Sequence, residues 1–282
     1  MCEALVSGGF TVIAWDIRSE AQEQARRSGA KVVASPAETA RDTDIAILMS
    51  LPWPKDVEEV VTGSEGILAG ARPGQVVVDL STVDPMTTRR MAAASSPKGV
   101  GYIDAPVLGR PQGCGKWTLP CGGSEVDLKK VQPVLDKLAK RVVHVGSAGS
   151  GNIVKLLNNL MFGAINSITA EVMAVCAKVG MNPRVFFDTV AGSGAATVSN
   201  LFLELGPQIL AHNWEPKFSV DLLYKDNLLG IAMGQEHGAP MPISQAVHLL
   251  NEMARAKGYG QLDTCSIVRI YEDLLKVSVK MP

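Results

Sequence analysis

The chain has 282 residues, of which 46% are hydrophobic and 20% are charged, and its net charge at pH 7 is -1. This composition predicts a folded protein with a substantial core, and the length suits two domains. The low net charge excludes a basic footprint for nucleic acid or an anionic membrane. We also identify no apolar run that approaches the roughly 20 residues of a membrane span, so we expect no membrane partner.

The cysteines and histidines give no sign of a disulfide framework or a metal centre. The five cysteines are odd in number and show no C-x-x-C spacing, which predicts reduced thiols in a cytoplasmic protein. The four histidines are scattered without the spacing of metal ligands, so we expect no metal site.

In the first half of the chain, short β-branched runs alternate with helical stretches, which predicts a doubly wound, parallel α/β sheet. A capping box formed by Ser19 and Gln22 marks the start of one helix. The predicted strands are 10–15, 44–49, 75–80, 101–103 and 141–145, and the predicted helices are 19–27, 55–61 and 86–94.

The strand pattern stops after the glycine-rich segment 146–151, and only helices separated by Gly and Pro follow. The sequence therefore predicts a dinucleotide-binding, Rossmann-type domain over residues 1–147 and an all-α domain over residues 148–282. The predicted helices are a long one that reaches Lys178 before Gly180, 184–190 after the N-cap Asn182, 220–236, 242–257 and 266–277.

Doubly wound nucleotide-binding domains usually begin with a strand, a glycine-rich turn and a helix. Residues 1–9 are typical of the second half of that helix, and no G-x-G-x-x-G occurs in the sequence. We therefore expect the N-terminal strand and the turn that binds the pyrophosphate to be missing from this chain. The strands that end near Asp16 and Met49 should then not be hydrogen-bonded to each other.

The most informative segment is the long apolar helix predicted after Gly149. Lys155 and Asn159 lie four residues apart, so both project from one face of this helix. Because the rest of that face is Leu, Met, Phe and Ile, a cation and an amide there must be paired or functional. For this segment alone, a structural interpretation is equally good. Lys155 would extend from the helix end toward solvent, and Asn159 would bond a neighbouring loop.

Four motifs, taken in order, resemble those of the β-hydroxyacid dehydrogenase family, in particular its 3-hydroxyisobutyrate dehydrogenase-like members. They are Asp79-Leu-Ser-Thr-Val-Asp-Pro85, Asp104-Ala-Pro-Val107 with the glycine-rich stretch to Gly123, the segment 149–159, and Lys225-Asp226. The resemblance implies a Rossmann domain, an all-helical domain, and a homodimer or homotetramer built through the helical domains. It also implies hydride transfer between NAD or NADP and a small 3-hydroxy acid or its semialdehyde.

The resemblance further implies a role for individual residues. Lys155 matches the general acid or base, and Asn159 matches the amide that holds the substrate. The implied substrate contacts are Ser81, Gly109 and Arg110, and the implied cofactor contacts are Leu51, Pro52, Thr82, Phe218 and Lys225. Each of these motifs also has an interpretation without the family. Ser81 and Thr82 are then part of a strand-to-helix turn, and Leu51-Pro52 is the end of a strand. Lys225-Asp226 is then a solvated helix face.

Two features bear on cofactor and substrate choice. Asp16 ends a predicted strand, where a carboxylate bonds the adenosine ribose and favours NAD, whereas Arg18 could meet the phosphate of NADP. The family commonly has Ser-Gly-Gly after Asp-Ala-Pro-Val, but this chain has Leu108-Gly109-Arg110. Arg110 either holds a carboxylate bidentately or lies at the edge of the site, and in both cases a larger or more acidic substrate than hydroxyisobutyrate is expected.

Two other functions stay open at this point. An imine reductase could use the same fold, although Lys155 and Asn159 together favour a dehydrogenase. A non-catalytic relative, acting as an interaction module, is suggested by the absence of the glycine-rich turn.

Overall fold

The strands form two separate sheets in a computed structural model that describes residues 1–44 and 46–280. In the first sheet, β1 (Ile13–Ala14) pairs in parallel with β2 (Lys31–Val32). The second sheet has the order β3-β4-β5-β6-β7. These strands are Ala46–Met49, Val76–Asp79, Gly101–Asp104, Trp117–Gly122 and Ala139–Gly146. Ile45, part of the predicted strand 44–49, lies outside the described residues.

The five-stranded sheet is doubly wound, as predicted. β3, β4 and β5 are parallel, and all four residues of β4 are buried, which explains its unbroken run of Val. One part of the prediction is wrong, because the sheet is not wholly parallel. β6 runs antiparallel to β5 and parallel to β7. This strand was missed because it contains Pro120 and ends in Gly122, residue types that are depleted in strands.

β1 and β3 belong to different sheets, and no ladder pairs them within the described residues. The expectation that the strands ending near Asp16 and Met49 are not hydrogen-bonded to each other is therefore confirmed. Residues 2–7 are helical, in agreement with the interpretation of the first nine residues as part of a helix.

Seven α-helices accompany these strands in the described part of the first unit, Met1–Lys155. They are α1 (Cys2–Ser7), α2 (Ser19–Arg27), α3 (Pro36–Asp42), α4 (Pro54–Thr62), α5 (Ile67–Gly70), α6 (Pro85–Ser95) and α7 (Glu125–Leu135). The predicted capping box at Ser19 is wrong. The N-cap of α2 is Arg18, and the Gln22 side chain donates to the backbone oxygen of Asp16 at 2.7 Å.

The second unit, Leu156–Pro282, is helical, as predicted. α8 (Ser150–Lys178) runs into it from the first unit, so the predicted domain boundary near residue 147 stays a prediction. The other helices are α9 (Pro183–Ala191), α10 (Asn200–Leu210), α11 (Val220–Glu236), α12 (Pro242–Ala256) and α13 (Val268–Leu275). α10 was missed because Gly206 and Pro207 interrupt its helical pattern.

By length and composition, α8 is apolar enough to cross a membrane, so the statement that no such run exists is wrong. In this structure one face of α8 packs in the core of the second unit. Ala170, Met173 and Ala174 are fully buried in the core of the second unit, where they join Leu205 and Ile209 of α10.

Candidate active site

The start of α8 is held by a carboxylate from the end of β5. Asp104 accepts a hydrogen bond of 2.8 Å from the backbone N–H of Gly149 and another of 2.8 Å from that of Asn152. The N–H groups of a first helical turn lack partners within the helix. A buried Asp104 satisfies two such groups and lies at the positive end of the helix dipole.

Lys155 lies about one turn further along α8. Its ammonium group is directed at the segment that follows β5. Its Nζ donates to the backbone oxygen of Val107 at 2.8 Å, and the side chain is half-buried. Val107 leads directly into the loop that contains Gly109 and Arg110. The structure therefore brings the predicted acid or base next to the predicted substrate loop.

Asn159, one turn further along α8, joins a buried ionic group of the second unit. Its Nδ2 donates to Oδ2 of Asp226, and Lys225 Nζ lies 2.9 Å from Oδ1 of the same carboxylate. The exposed fractions of Asn159, Lys225 and Asp226 are 3%, 3% and 2%. The interpretation of Lys225-Asp226 as a solvated helix face is therefore wrong.

The ends of β3 and β4 bring two predicted residues together. The backbone N–H of Leu51 donates to the Ser81 hydroxyl at 2.8 Å, and Ser81 bonds the Asp79 carboxylate through its backbone N–H and its hydroxyl. Ser81 is only 2% exposed, so nearly all of its surface is in contact with other residues of the protein. Pro52 is exposed, and Thr82 is half-buried.

Two acidic side chains lie buried at the ends of neighbouring strands. Asp79 and Asp104 occupy paired positions of β4 and β5, and Tyr102 donates to Asp79 at 2.9 Å. Burial, with a smaller contribution from nearby Asp104, raises the pKa of Asp79 to about 6 against the hydrogen bonds from Ser81 and Tyr102. Burial also raises the pKa of Asp104, while the N–H groups of Gly149 and Asn152 oppose that rise.

The substrate loop is shaped by Trp117, a residue that the sequence did not single out. Its indole N–H donates to the backbone oxygen of Arg110 at 2.8 Å. Gly109 has φ of 150°, and a Cβ there would lie 2.7 Å from Trp117 Cδ1, so only glycine fits without a shift. The Arg110 side chain is half-buried.

Asp16 and Arg18 are placed together just after β1. Oδ1 of Asp16 accepts a hydrogen bond from the backbone N–H of Arg18 at 2.9 Å and lies 3.4 Å from its Nε. The two side chains are 38% and 72% exposed, so both are open to a ligand.

Phe218 packs within the second unit. Its ring meets Phe162 edge to face, with ring centroids 5.5 Å apart, and its backbone N–H donates to Asp263 at 3.2 Å. Among residues 1–44 and 46–280, no three His, Cys, Asp or Glu side chains come together in a way that could hold a metal ion.

The residues fit a dinucleotide in part. Asp16 offers a carboxylate for ribose hydroxyls, and the turns at Leu51 and Ser81 lie at the carboxyl ends of strands, where cofactors bind in such sheets.

Several residues of this region were missed as candidates. Asp104, Asn152 and Asp226 each contact a predicted site residue or the helix that carries it. A sequence signal existed for two of them. Asp104 is a carboxylate that ends an apolar strand, and Asn152 is an amide three residues before Lys155.

Comparisons with known proteins show which family the chain resembles. Residues 1–146 match the model of the NAD binding domain of 6-phosphogluconate dehydrogenase. Residues 149–271 match that of the NAD-binding domain of NADP-dependent 3-hydroxyisobutyrate dehydrogenase. The chain is 32% identical to 2-(hydroxymethyl)glutarate dehydrogenase of Eubacterium barkeri, over 98% of this chain and 91% of that protein.

Two further relatives extend the comparison. The chain is 30% identical to 3-sulfolactaldehyde reductase of Escherichia coli, over 95% of this chain and 90% of that protein. In structure it is similar to 3-hydroxyisobutyrate dehydrogenase from Salmonella typhimurium, with a TM-score of 0.87 and 26% identity. That match covers 95% of this chain and 94% of the other.

Proposed function

This chain belongs to the β-hydroxyacid dehydrogenase family, and from that premise we propose that it interconverts a small 3-hydroxy acid and its semialdehyde, with Lys155 as general acid and base. The family establishes an oxidoreductase that uses NAD or NADP. The observation that carries the finer proposal is the contact between Lys155 Nζ and Val107, at the start of the loop with Gly109 and Arg110.

A bound nicotinamide supplies or accepts the hydride. When a carbonyl is reduced, its oxygen needs a proton in the same event, and Lys155 Nζ donates it; in the reverse direction Lys155 accepts it. Asn159 holds the substrate through its amide, which Asp226 keeps in one orientation. Lys225, paired with the same carboxylate, and Phe218 contact the cofactor in this proposal, as do Leu51, Pro52 and Thr82.

The proposed substrate carries a second acidic group that Arg110 binds. Arg110 follows Gly109, whose backbone lies close against the Trp117 ring, and the Arg110 guanidinium can hold a carboxylate or sulfonate through two parallel hydrogen bonds. The names of two relatives support this choice. The first acts on a hydroxymethyl dicarboxylate, and the second reduces a sulfonated aldehyde. Ser81 is the other proposed contact, although its hydroxyl already bonds Leu51 and Asp79.

NAD is the proposed cofactor, with NADP as the alternative. The Asp16 carboxylate would bond both ribose hydroxyls and repel a 2′-phosphate. Arg18 lies against that carboxylate, which lowers its availability to a phosphate.

A homodimer or homotetramer is proposed from an apolar stripe on α8. Leu157, Met161, Ile168, Val172 and Val175 are between 36% and 67% exposed, and their spacing places them on one face of the helix. Next to this stripe, α8 and α12 form an open groove of about 360 Å³, lined by Ile165, Ile168, Ile243 and Leu250 among others. A second copy of the chain would cover such a surface. The five free cysteines favour a reducing, cytoplasmic compartment.

The test is a spectrophotometric assay of NADH and NADPH oxidation with a panel of semialdehydes, half of which carry a second carboxylate or sulfonate. Saturable turnover that favours the doubly acidic compounds is expected. Turnover that requires an added amine would instead identify an imine reductase. Dinucleotide binding without turnover on any panel member would identify a non-catalytic relative.

A further inference from the structure

We propose that Asp104 and Asn152 form a buried junction that positions Lys155, an inference that rests on the proposed role of Lys155 as general acid and base. Both residues are 0% exposed, and the backbone N–H of Asn152 donates to Asp104 Oδ2 at 2.8 Å. They act on the reaction through α8 and Val107, so they are positioning residues.

The first link of the junction joins β5 to α8. Asp104 bonds the N–H groups of Gly149 and Asn152, at sequence distances of 45 and 48 residues. An ordinary helix cap comes from the residue just before the helix and moves with it. Here the cap belongs to a strand, so α8 cannot shift at its start without leaving a buried carboxylate short of donors.

The second link runs from Lys155 back to the segment that follows β5. Lys155 Nζ donates to the oxygen of Val107, three residues after Asp104, while Lys155 itself lies three residues after Asn152. The two contacts therefore close a ring between the end of β5 and the first turns of α8. A displacement of the helix start has to move the ammonium group as well.

The third link is made by the Asn152 side chain. Its Oδ1 accepts from the N–H of Val83 at 3.1 Å, and its Nδ2 donates to Thr88 Oγ1 at 3.1 Å. Val83 directly follows Thr82, a proposed cofactor contact. The amide thus fixes the distance between the turn after β4 and the helix that carries Lys155.

Close packing leaves this junction little freedom. A Cβ at Gly151 would lie 2.7 Å from the Asp104 oxygen and would overlap the oxygen of Pro120. The backbone of α8 therefore rests directly on the backbones of β5 and β6, with no side chain between them. Such contact favours a single register of the helix against the strands.

The decisive variant is Asp104→Asn, which keeps the side-chain volume but leaves one acceptor oxygen for two N–H donors. Turnover should fall at least about tenfold, since small displacements of a catalytic group are costly. The KM for the dinucleotide should stay within about twofold, because no proposed cofactor contact is removed. Asn152→Ala, which frees Val83 and Thr88, should show the same fall in turnover.

A second readout does not depend on turnover. Lys155 is labelled with a small amine-reactive reagent, and the rate is read by mass spectrometry of its peptide. In Asp104→Asn and Asn152→Ala, the rate at which Lys155 is labelled should rise at least about threefold. This factor corresponds to the loss of one hydrogen bond. Ser124→Ala is the matched control, because Ser124 also caps a helix through two backbone N–H groups but has no link to Lys155.

The outcomes separate the two proposals. If no hydroxy acid is turned over but the labelling of Lys155 changes as expected, the junction stands and the proposed reaction is wrong. If both variants lose stability like Ser124→Ala while labelling and kcat stay at the wild-type values, Asp104 and Asn152 are structural only. If Asp104→Asn does not fold, Asn152→Ala alone decides.

Discussion

Asn159 donates a hydrogen bond to Asp226, and the same carboxylate pairs with Lys225 at 2.9 Å. One buried anion therefore connects a proposed substrate residue of α8 to a proposed cofactor residue of α11. All three side chains are at most 3% exposed, so this ion pair is largely removed from water.

We expect Asp226→Leu to destabilise the protein by roughly 3 to 5 kcal/mol, because it removes the carboxylate that pairs with a buried ammonium group. The double variant Lys225→Met/Asp226→Leu should recover most of that loss, since both charges are gone. Urea unfolding measures each value. Asp273→Leu, in the exposed pair with Lys257, is the control and should hardly move the midpoint. A double variant as unstable as Asp226→Leu would contradict the pairing.

Lys155→Ala should reduce turnover at least about a hundredfold, the usual worth of a general acid or base. Dinucleotide affinity should hardly change, because the bond from Lys155 to Val107 places its ammonium group at the substrate loop. Steady-state kinetics and calorimetric titration give the two values. Lys178→Ala is the control, since that lysine lies at the far end of α8 and bonds Leu275. Turnover within a few-fold of wild type would remove Lys155 from the mechanism.

Arg110→Gly should weaken binding of a doubly acidic substrate by about 1 to 3 kcal/mol, which is the cost of a lost charge-assisted hydrogen bond. The KM for the cofactor should not move. A substrate with only one carboxylate serves as the internal control and should lose little. An equal loss of binding free energy for both substrates would mean that Arg110 does not bind the second acidic group.

The sequence predicted most of the architecture but only part of the site. α2 and α11 have the predicted bounds, although the capping box proposed for the start of α2 does not form. The partners of the site residues could not be predicted in the same way. Asp104 bonds N–H groups 45 and 48 residues away, and Asn159 bonds a carboxylate 67 residues away, so no local pattern records either contact.

Asp16→Ser should raise the preference for NADP over NAD at least about tenfold in kcat/KM. The change removes a carboxylate that would repel a 2′-phosphate, and it releases Arg18 from its contact with Asp16. The ratio of kcat/KM for the two cofactors measures the effect. Glu20→Ser removes an exposed carboxylate from the first turn of α2 and is the matched control. An unchanged ratio in Asp16→Ser would show that Asp16 does not face the ribose.

Asp79 should make the stability of the protein depend on pH. Burial raises its pKa from the usual 3.8 to about 6, so between these values the folded state retains a proton that the unfolded state has lost. The resulting stability is fully present below about pH 3.8 and is lost as pH rises through about 6. The loss amounts to about 3 kcal/mol, and it runs opposite to that of a salt-bridged carboxylate.

Asp79→Asn should remove this dependence, because an amide does not titrate and can still accept the hydrogen bond from the Ser81 N–H. Urea unfolding between pH 4 and pH 7 should show wild type losing stability relative to the variant as pH rises, with no further change above about pH 7. Asp42→Asn, in the exposed pair with Lys31, is the control and should run parallel to wild type. Parallel curves for Asp79→Asn would mean that Asp79 ionises at its ordinary pKa despite its burial, because the donors at Ser81 and Tyr102 would then outweigh the loss of water.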